Sequence, residues 1–313
     1  MKLTPRTKKL LTLSALVLVV IFLSGCRVPM DENNHVIYIA NEAVPGSEYT
    51  FRTSFAEVFA NENWFMALFV YPLSWLINHL APIISVGGAI AVVTILVNGV
   101  LGALTMKSSI ATQQMQMIQP EMDRIQRKYE GREDEASKMR MAQETQALYK
   151  KYDINPLSTI LVAFLQFPVI MAMYMSVHRS WAVQSGTFLG MNLQTTPLEG
   201  MKVLLQGDMS GLSYLFLFIF MGACQFLAMK LPQMIQKKKA EEEAAKHHRK
   251  PPETSNQSQM MQYFMVGMIL LLGLMWPSAM SLYWAINSLV TIAKTLIVQK
   301  VIDKKQAETA KGR

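Results

Sequence analysis

The sequence predicts an all-α polytopic membrane protein, with five transmembrane helices around a hydrophilic groove and a cytoplasmic helical hairpin. Three observations lead there. Hydrophobic residues make up 51% of the 313, only 17% are charged and mean hydropathy is +0.21, too apolar for a soluble chain with its own core. Several runs reach the roughly 20 apolar residues that a helix needs to cross a bilayer. Most of these runs also carry isolated polar residues, which hydrocarbon rejects unless a partner or water meets them. The net charge of +8 is distributed between and beyond the apolar runs rather than on one compact domain, so it speaks for orientation and against direct nucleic-acid recognition. Cys26 and Cys224, one beside a leader and one inside an apolar run, do not suggest a disulfide framework.

Taken in order, residues 1–25 read as a lipoprotein signal peptide. Lys2, Arg6, Lys8 and Lys9 precede an apolar stretch that closes on Leu23-Ser24-Gly25-Cys26, so Cys26 is the expected lipidation site, its thiol carrying a diacylglycerol on the outer face. Residues 26–82 form an extracellular segment in which Trp64, Phe65, Phe69, Tyr71, Trp75 and Ile77 mark an interfacial amphipathic helix interrupted near Pro72. The spans are placed at 83–106, 157–177, 212–229, 260–276 and 278–298. The last two are divided at Pro277, which ends one helix and suits the first turn of the next.

Between the spans lie a cytoplasmic hairpin at 107–156, an extracellular loop at 178–211, a basic cytoplasmic loop at 230–259 and a basic tail at 299–313. In the hairpin, Met115, Ile118, Met122, Ile125 and Tyr129 recur at helical spacing. Gly131 interrupts the pattern, and Met139, Ala142, Leu148, Tyr149 and Tyr152 resume it. Lysines crowd 237–250 and 300–313, whereas the segment after Cys26 is acidic. The positive-inside rule therefore puts the mature amino end outside and the carboxyl end in the cytoplasm, as five crossings require.

Polar residues within the spans are the candidate groove: Thr94, Asn98 and Gly102 on the first, Gln166 on the second, Gln225 on the third, and Tyr283, Asn287, Thr291 and Lys294 on the last. Interhelical hydrogen bonding would account for Gln225 and Asn287 without a groove, and Lys294 is near enough to the cytoplasmic end to snorkel. Together, polar positions on four helices favour a groove that admits water from the cytoplasm.

Five motifs in order, Tyr71-Pro72-Leu73-Ser74-Trp75, Gln119-Pro120-Glu121-Met122, Leu148-Tyr149-Lys150-Lys151 with Asn155-Pro156-Leu157, Gln166-Phe167-Pro168-Val169 and Leu282-Tyr283-Trp284-Ala285-Ile286-Asn287, resemble the YidC family of membrane protein insertases over nearly the whole chain after Cys26. With the lipoprotein leader, the pattern is similar to family members of single-membrane bacteria. The resemblance implies a groove open to cytoplasm and lipid but closed outside, which receives a nascent membrane protein and releases it sideways. It also implies that the hairpin recruits substrate, and that the Sec translocon and the ribosome or signal recognition machinery are partners. The family's usual first-span pattern, Arg-Leu-x-Leu-x-Pro-Leu, meets Asn98 to Leu104 here, with Asn98 at the charge position and Ala103 at the proline position. Either this chain relies less on attraction to acidic tails or Lys294 supplies a cation; the first is favoured because a lysine can snorkel away.

No Walker loop, HExxH or nucleophile–base set is legible, so no enzyme, cofactor or metal is expected, and His247-His248 reads as a solvated pair. A small transporter or channel is the rival. The missing inverted repeat and the large hairpin argue against it.

Overall fold

The structure, a computed structural model, describes residues 28–246 and 256–311. The leader, Cys26 and the His247-His248 pair lie outside the described residues. Among those residues four helices are long and apolar enough to cross a membrane, Met66–Ile84, Val86–Leu104, Met209–Glu242 and Ser278–Lys304, and Gln262–Met275 is a shorter apolar helix. A 24-residue helix, Pro156–Arg179, covers the expected second span. The fold is all-α and polytopic. It divides into two compact units, one of residues up to Ala89 with Pro168–Phe188, the other of Ile90–Phe167 with Leu189 onward.

The first unit begins with a parallel pair of two-residue strands, β1 (Tyr38–Ile39) and β2 (Phe51–Arg52). Helix α1 (Phe55–Asn61) follows, opened by a capping box in which the Ser54 hydroxyl accepts from the Glu57 N–H while the Glu57 carboxylate accepts from the Ser54 N–H. A π-helical turn, Met66–Val70, leads directly into α2 (Tyr71–Ile84). Pro72 falls in the first turn of α2, where a missing N–H is tolerated, so the helix expected to be interrupted there runs on. Ser85, at φ +73°, separates α2 from α3 (Val86–Leu104). Residues 168–179 of α7 (Pro156–Arg179) and the short α8 (Trp181–Ser185) complete the unit. Ile39, Val58, Phe65, Met66, Val70, Ala172 and Met175 form its apolar core.

This unit is riveted by polar side chains. Arg179, 0% exposed, donates through both terminal nitrogens to Glu62 at 2.6 and 2.8 Å and through Nε to the Ile37 carbonyl at 2.9 Å. Asn78 donates to the Ile39 carbonyl at 2.6 Å and accepts from the Ser180 hydroxyl at 2.7 Å and the Ala182 N–H at 2.9 Å. The Ser74 hydroxyl donates to the Ser176 carbonyl at 3.2 Å.

The second unit holds α4 (Met106–Met117), α5 (Gln119–Lys128), α6 (Glu135–Lys151), α9 (Pro197–Leu205), α10 (Leu212–Lys246), α11 (Asn256–Met275) and α12 (Ser278–Lys311). Here the structure differs from expectation in two places. Residues 107–156 make three helices rather than two: α5 and α6 pair, while α4 packs on α10 and α12. The hairpin seam is Ile118, Leu148 and Ile154 with Met115, Met122, Ile125 and Tyr149, whereas Met139, assigned to that seam, is 61% exposed.

The expected basic loop is also helical as far as Lys246. Lys, Glu and Ala are strong helix formers, and Lys237–Glu241 pair at i,i+4 while Lys239 pairs with Asp303 of α12. At 35 and 34 residues, α10 and α12 are roughly 50 Å long, well beyond a ~30 Å hydrocarbon layer. Gly200 lets α9 close on α10, since a Cβ there would sit 2.2 Å from the Tyr214 ring.

Candidate functional site

Within the second unit α4, α5, α10, α11 and α12 line a half-open cavity of about 720 Å³. Helical spacing explains its lining. Ser109, Thr112, Gln113 and Gln116 share one face of α4, and Gln225, Met229, Gln233 and Gln236 share one face of α10. Gln262, Met265, Val266 and Ile269 do so on α11, as Thr291, Lys294, Thr295 and Val298 do on α12. The wall is thus amide and hydroxyl on apolar backing, with three lysines, Lys230, Lys237 and Lys294. No carboxylate lines it among the described residues.

Several amides tie the helices together without exhausting their hydrogen-bonding capacity. Gln113 donates to Gln299 at 2.6 Å, Gln225 accepts from the Ser288 hydroxyl at 2.6 Å, Gln233 donates to Gln262, and Gln236 donates to the Gln116 carbonyl. Each primary amide has two donors and two acceptor sites, so capacity remains for water or an incoming polar chain. Pro232 lies on the same wall as Ala228, whose carbonyl it leaves without the usual i+4 donor. Lys230 rests over the Tyr263 ring at 4.8 Å and donates to its hydroxyl at 2.5 Å. Lys294 is half-buried, its Nζ 3.4 Å from the Thr105 hydroxyl.

Of the residues singled out in the sequence, the cavity brings together Gln225, Thr291 and Lys294. The others lie off its lining. Thr94 donates to the Ile90 carbonyl at 2.7 Å and Asn98 to the Thr94 carbonyl at 2.9 Å, each closing onto its own helix. A Cβ on Gly102 would meet nothing within 4 Å, and the Asn287 carbonyl accepts from Thr291 at 2.8 Å. Tyr283 is fully buried with its hydroxyl unpaired by strict geometry, although the Gln166 side chain is close enough to interact with it.

The sequence reading missed Lys230, Gln233, Gln236 and Gln262, and with them the glutamines of α4. The signal that could have found the glutamines of α4 and α10 is their repeat at three-residue steps beyond the apolar runs, at 113 and 116 and again at 233 and 236. In the hairpin, hydrogen bonds from Lys128, at the end of α5, and Tyr129, just past it, hold the Glu144 carboxyl of α6 below its ordinary range. No cluster of metal-ligating side chains occurs among the described residues.

A comparison of families gives this arrangement its context. The family described as 60Kd inner membrane protein matches residues 76–306. The chain belongs to that family, the YidC family. It is 30% identical over 254 residues to Membrane protein insertase MisCA of Bacillus subtilis, covering 78% of this chain and 82% of that one. It is 27% identical over 243 residues to Membrane protein insertase YidC 2 of Listeria innocua, at 77% and 74% coverage. With Membrane protein insertase YidC 1 of Halalkalibacterium halodurans the identity is 30% over 233 residues, at 74% and 77%. In this YidC-family chain two of the helices that line the cavity, α10 and α12, are long and apolar enough to cross a membrane.

Proposed function

We propose that this chain is a membrane protein insertase and chaperone, in which the glutamine-lined cavity begins a hydrated route for the polar part of a nascent membrane protein. One observation carries the reading: five helices of the second unit present amides, hydroxyls and lysines to a common space, although three of them, α10, α11 and α12, are apolar over much of their length. Desolvating a polar tail is the main cost of insertion, and such a wall reduces it. Burial of the incoming apolar helix, at about 25 cal/mol per Å², supplies the drive.

In this reading the protein has five spans and lies in the bacterial cell membrane. Cys26 is lipidated on the outer face and the carboxyl end is cytoplasmic. Helix Met66–Ile84, although long enough to cross, lies along the outer leaflet, where Trp64, Phe69 and Trp75 are exposed to headgroups. Helices α5 and α6 receive substrate, and the Sec translocon and ribosome act as partners.

Photo-crosslinkers at Gln225 and Thr291 test the route. Both should capture a stalled nascent membrane protein, while crosslinkers on lipid-facing Phe216 and Phe220 should not. Capture of nothing at the two cavity positions, with normal insertion, would remove the proposal.

A further inference from the structure

The amino-terminal ends of α10 and α12 carry a cap that plays no part in the cavity. Helix α9 opens on a capping box, the Thr196 hydroxyl accepting from the Glu199 N–H at 3.2 Å and the Glu199 carboxylate from the Thr196 N–H at 3.3 Å. Two glycines seat it on the start of α10. A Cβ on Gly211 would lie 2.5 Å from the Gly200 carbonyl oxygen and 2.6 Å from Leu204, and Gly200 itself rests on the Tyr214 ring. The Tyr214 hydroxyl accepts from the Asn192 N–H at 3.1 Å and donates to the Asn192 carbonyl at 3.2 Å. At the start of α12, the Thr195 carbonyl accepts from the Ser278 N–H at 3.0 Å and from its hydroxyl at 2.7 Å. The cap is thus fastened to both helices, and its remaining face is turned outward. Leu198, Lys202 and Leu205 share that face at helical steps, and Leu205 is 87% exposed. Met209, 68% exposed, follows, and then Leu212, Phe216 and Ile219, also exposed and spaced as one stripe of α10.

We propose that α9 is a lipid-binding element, its Leu198, Leu205 and Met209 side chains seated in the outer leaflet and Lys202 among the lipid phosphates, and that it pins α10 and α12 at a fixed depth. This rests on the orientation in the insertase reading, which puts residues 178–211 outside. Lipid is the occupant because the face runs on without a break into the lipid-facing stripe of α10. Leucine and methionine around a single lysine also match the boundary between hydrocarbon and phosphate. The consequence is a depth for the cavity. At 1.5 Å per residue, Gln225 lies roughly 20 Å along α10 from Leu212 and Gln236 roughly 36 Å. An outer end pinned at Leu212 therefore puts the polar wall in the inner third of a ~30 Å hydrocarbon layer and just beyond it, where a chain arriving from the cytoplasm meets it. Unpinned, helices of 35 and 34 residues would satisfy the layer at several depths.

The test uses the full chain in proteoliposomes, in a C224S background, with a single fluorophore-bearing cysteine at Leu205, at Phe216 or at Met139, the last an equally open position on α6. The phospholipids carry a nitroxide quencher either near the headgroup or deep in the acyl chain. Leu205 should be quenched more by the shallow label, Phe216 more by the deep one and Met139 by neither. In L198N/L205N/M209N, which changes only exposed side chains, the deep-to-shallow ratio at Phe216 should move towards one as α10 samples several depths, and insertion of a single-span substrate should fall severalfold. Quenching at Leu205 no greater than at Met139 overturns the proposal. A blue-shifted but unquenched Leu205 does so too, since a protein surface or a second copy then covers the face. A ratio at Phe216 that the triple variant leaves unchanged removes the pin. Reaction of an impermeant maleimide with Met139→Cys in intact protoplasts would instead overturn the orientation, and with it the topology of the insertase reading, whatever the quenching shows.

Discussion

Arg179 and Lys294 are both cations on long, largely apolar helices, and their surroundings could hardly differ more. Arg179 is sealed from solvent with three of its nitrogens engaged, two on Glu62 and one on the Ile37 carbonyl. Lys294 has one long hydrogen bond, to Thr105, and faces a cavity. The contrast extends to the neighbours. In the first unit Asn78 and Ser74 bond to segments about 40 or 100 residues away, so polar groups act as rivets between elements. In the second, Gln113–Gln299 and Gln225–Ser288 still tie helices together, but Thr94, Asn98 and Thr291 bond to the carbonyl four residues back on their own helix. A polar residue in an apolar helix therefore fixes tertiary structure only where a distant segment meets it; satisfied locally, it leaves the helix free of cross-links.

The largest test of this contrast is Arg179→Leu. It leaves the Glu62 carboxylate, 6% exposed, with Arg52 at 3.9 Å as its remaining cation, and should destabilise the first unit by about 3 kcal/mol, read as a fall in melting temperature in detergent. Arg179→Met with Glu62→Gln should recover part of the loss, because the buried carboxylate and the buried guanidinium are then removed together, leaving only the partly exposed Arg52 without its carboxylate. Equal losses for single and double variants would mean that packing, not the ion pair, holds the unit. Next comes Asn78→Leu, which orphans the Ile39 carbonyl, the Ser180 hydroxyl and the Ala182 N–H together; about 2–3 kcal/mol is expected, with protease cleavage between Ile39 and Phe51 as the local readout.

How much of this could be read from the sequence follows the same division. The long apolar helices and the break at Pro277 were legible because run length and proline act locally. The Glu62–Arg179 pair was not, since 117 residues separate its members and Glu62 counted only as one outer acidic charge. Gln225, Thr291 and Lys294 were found because they stand out against hydrocarbon. Gln233, Gln236 and Lys230 were not, because 230–246 is mostly polar and reads as loop; its helix comes from residue propensity and from pairing with α12 through Asp303. Polarity marks a site only by contrast with its surroundings.

Smaller effects belong to the second unit. Gln225 and Ser288 make one interhelical bond, at 2.6 Å, and a double-mutant cycle of Gln225→Leu with Ser288→Ala should give a coupling of about 0.6 kcal/mol, the usual size for such pairs in membrane helices. A coupling above about 2 kcal/mol would make this pair a rivet of the first unit's kind and narrow the difference between the two.

The smallest change should come from Thr94→Val. Thr94 is fully buried, so an ordinary view of buried hydroxyls would expect a substantial loss. Among the described residues, however, its hydroxyl has one partner, the Ile90 carbonyl at 2.7 Å, which the helix ladder already supplies with a backbone donor, so removing the hydroxyl orphans nothing. Valine nearly preserves the volume and exchanges a polar group for an apolar one. Unfolding in detergent should shift by less than about 0.5 kcal/mol. A loss above about 1.5 kcal/mol would show that this hydroxyl holds more than its own helix, and the distinction drawn between Arg179's unit and Lys294's would fail at the residue where it is most sharply stated.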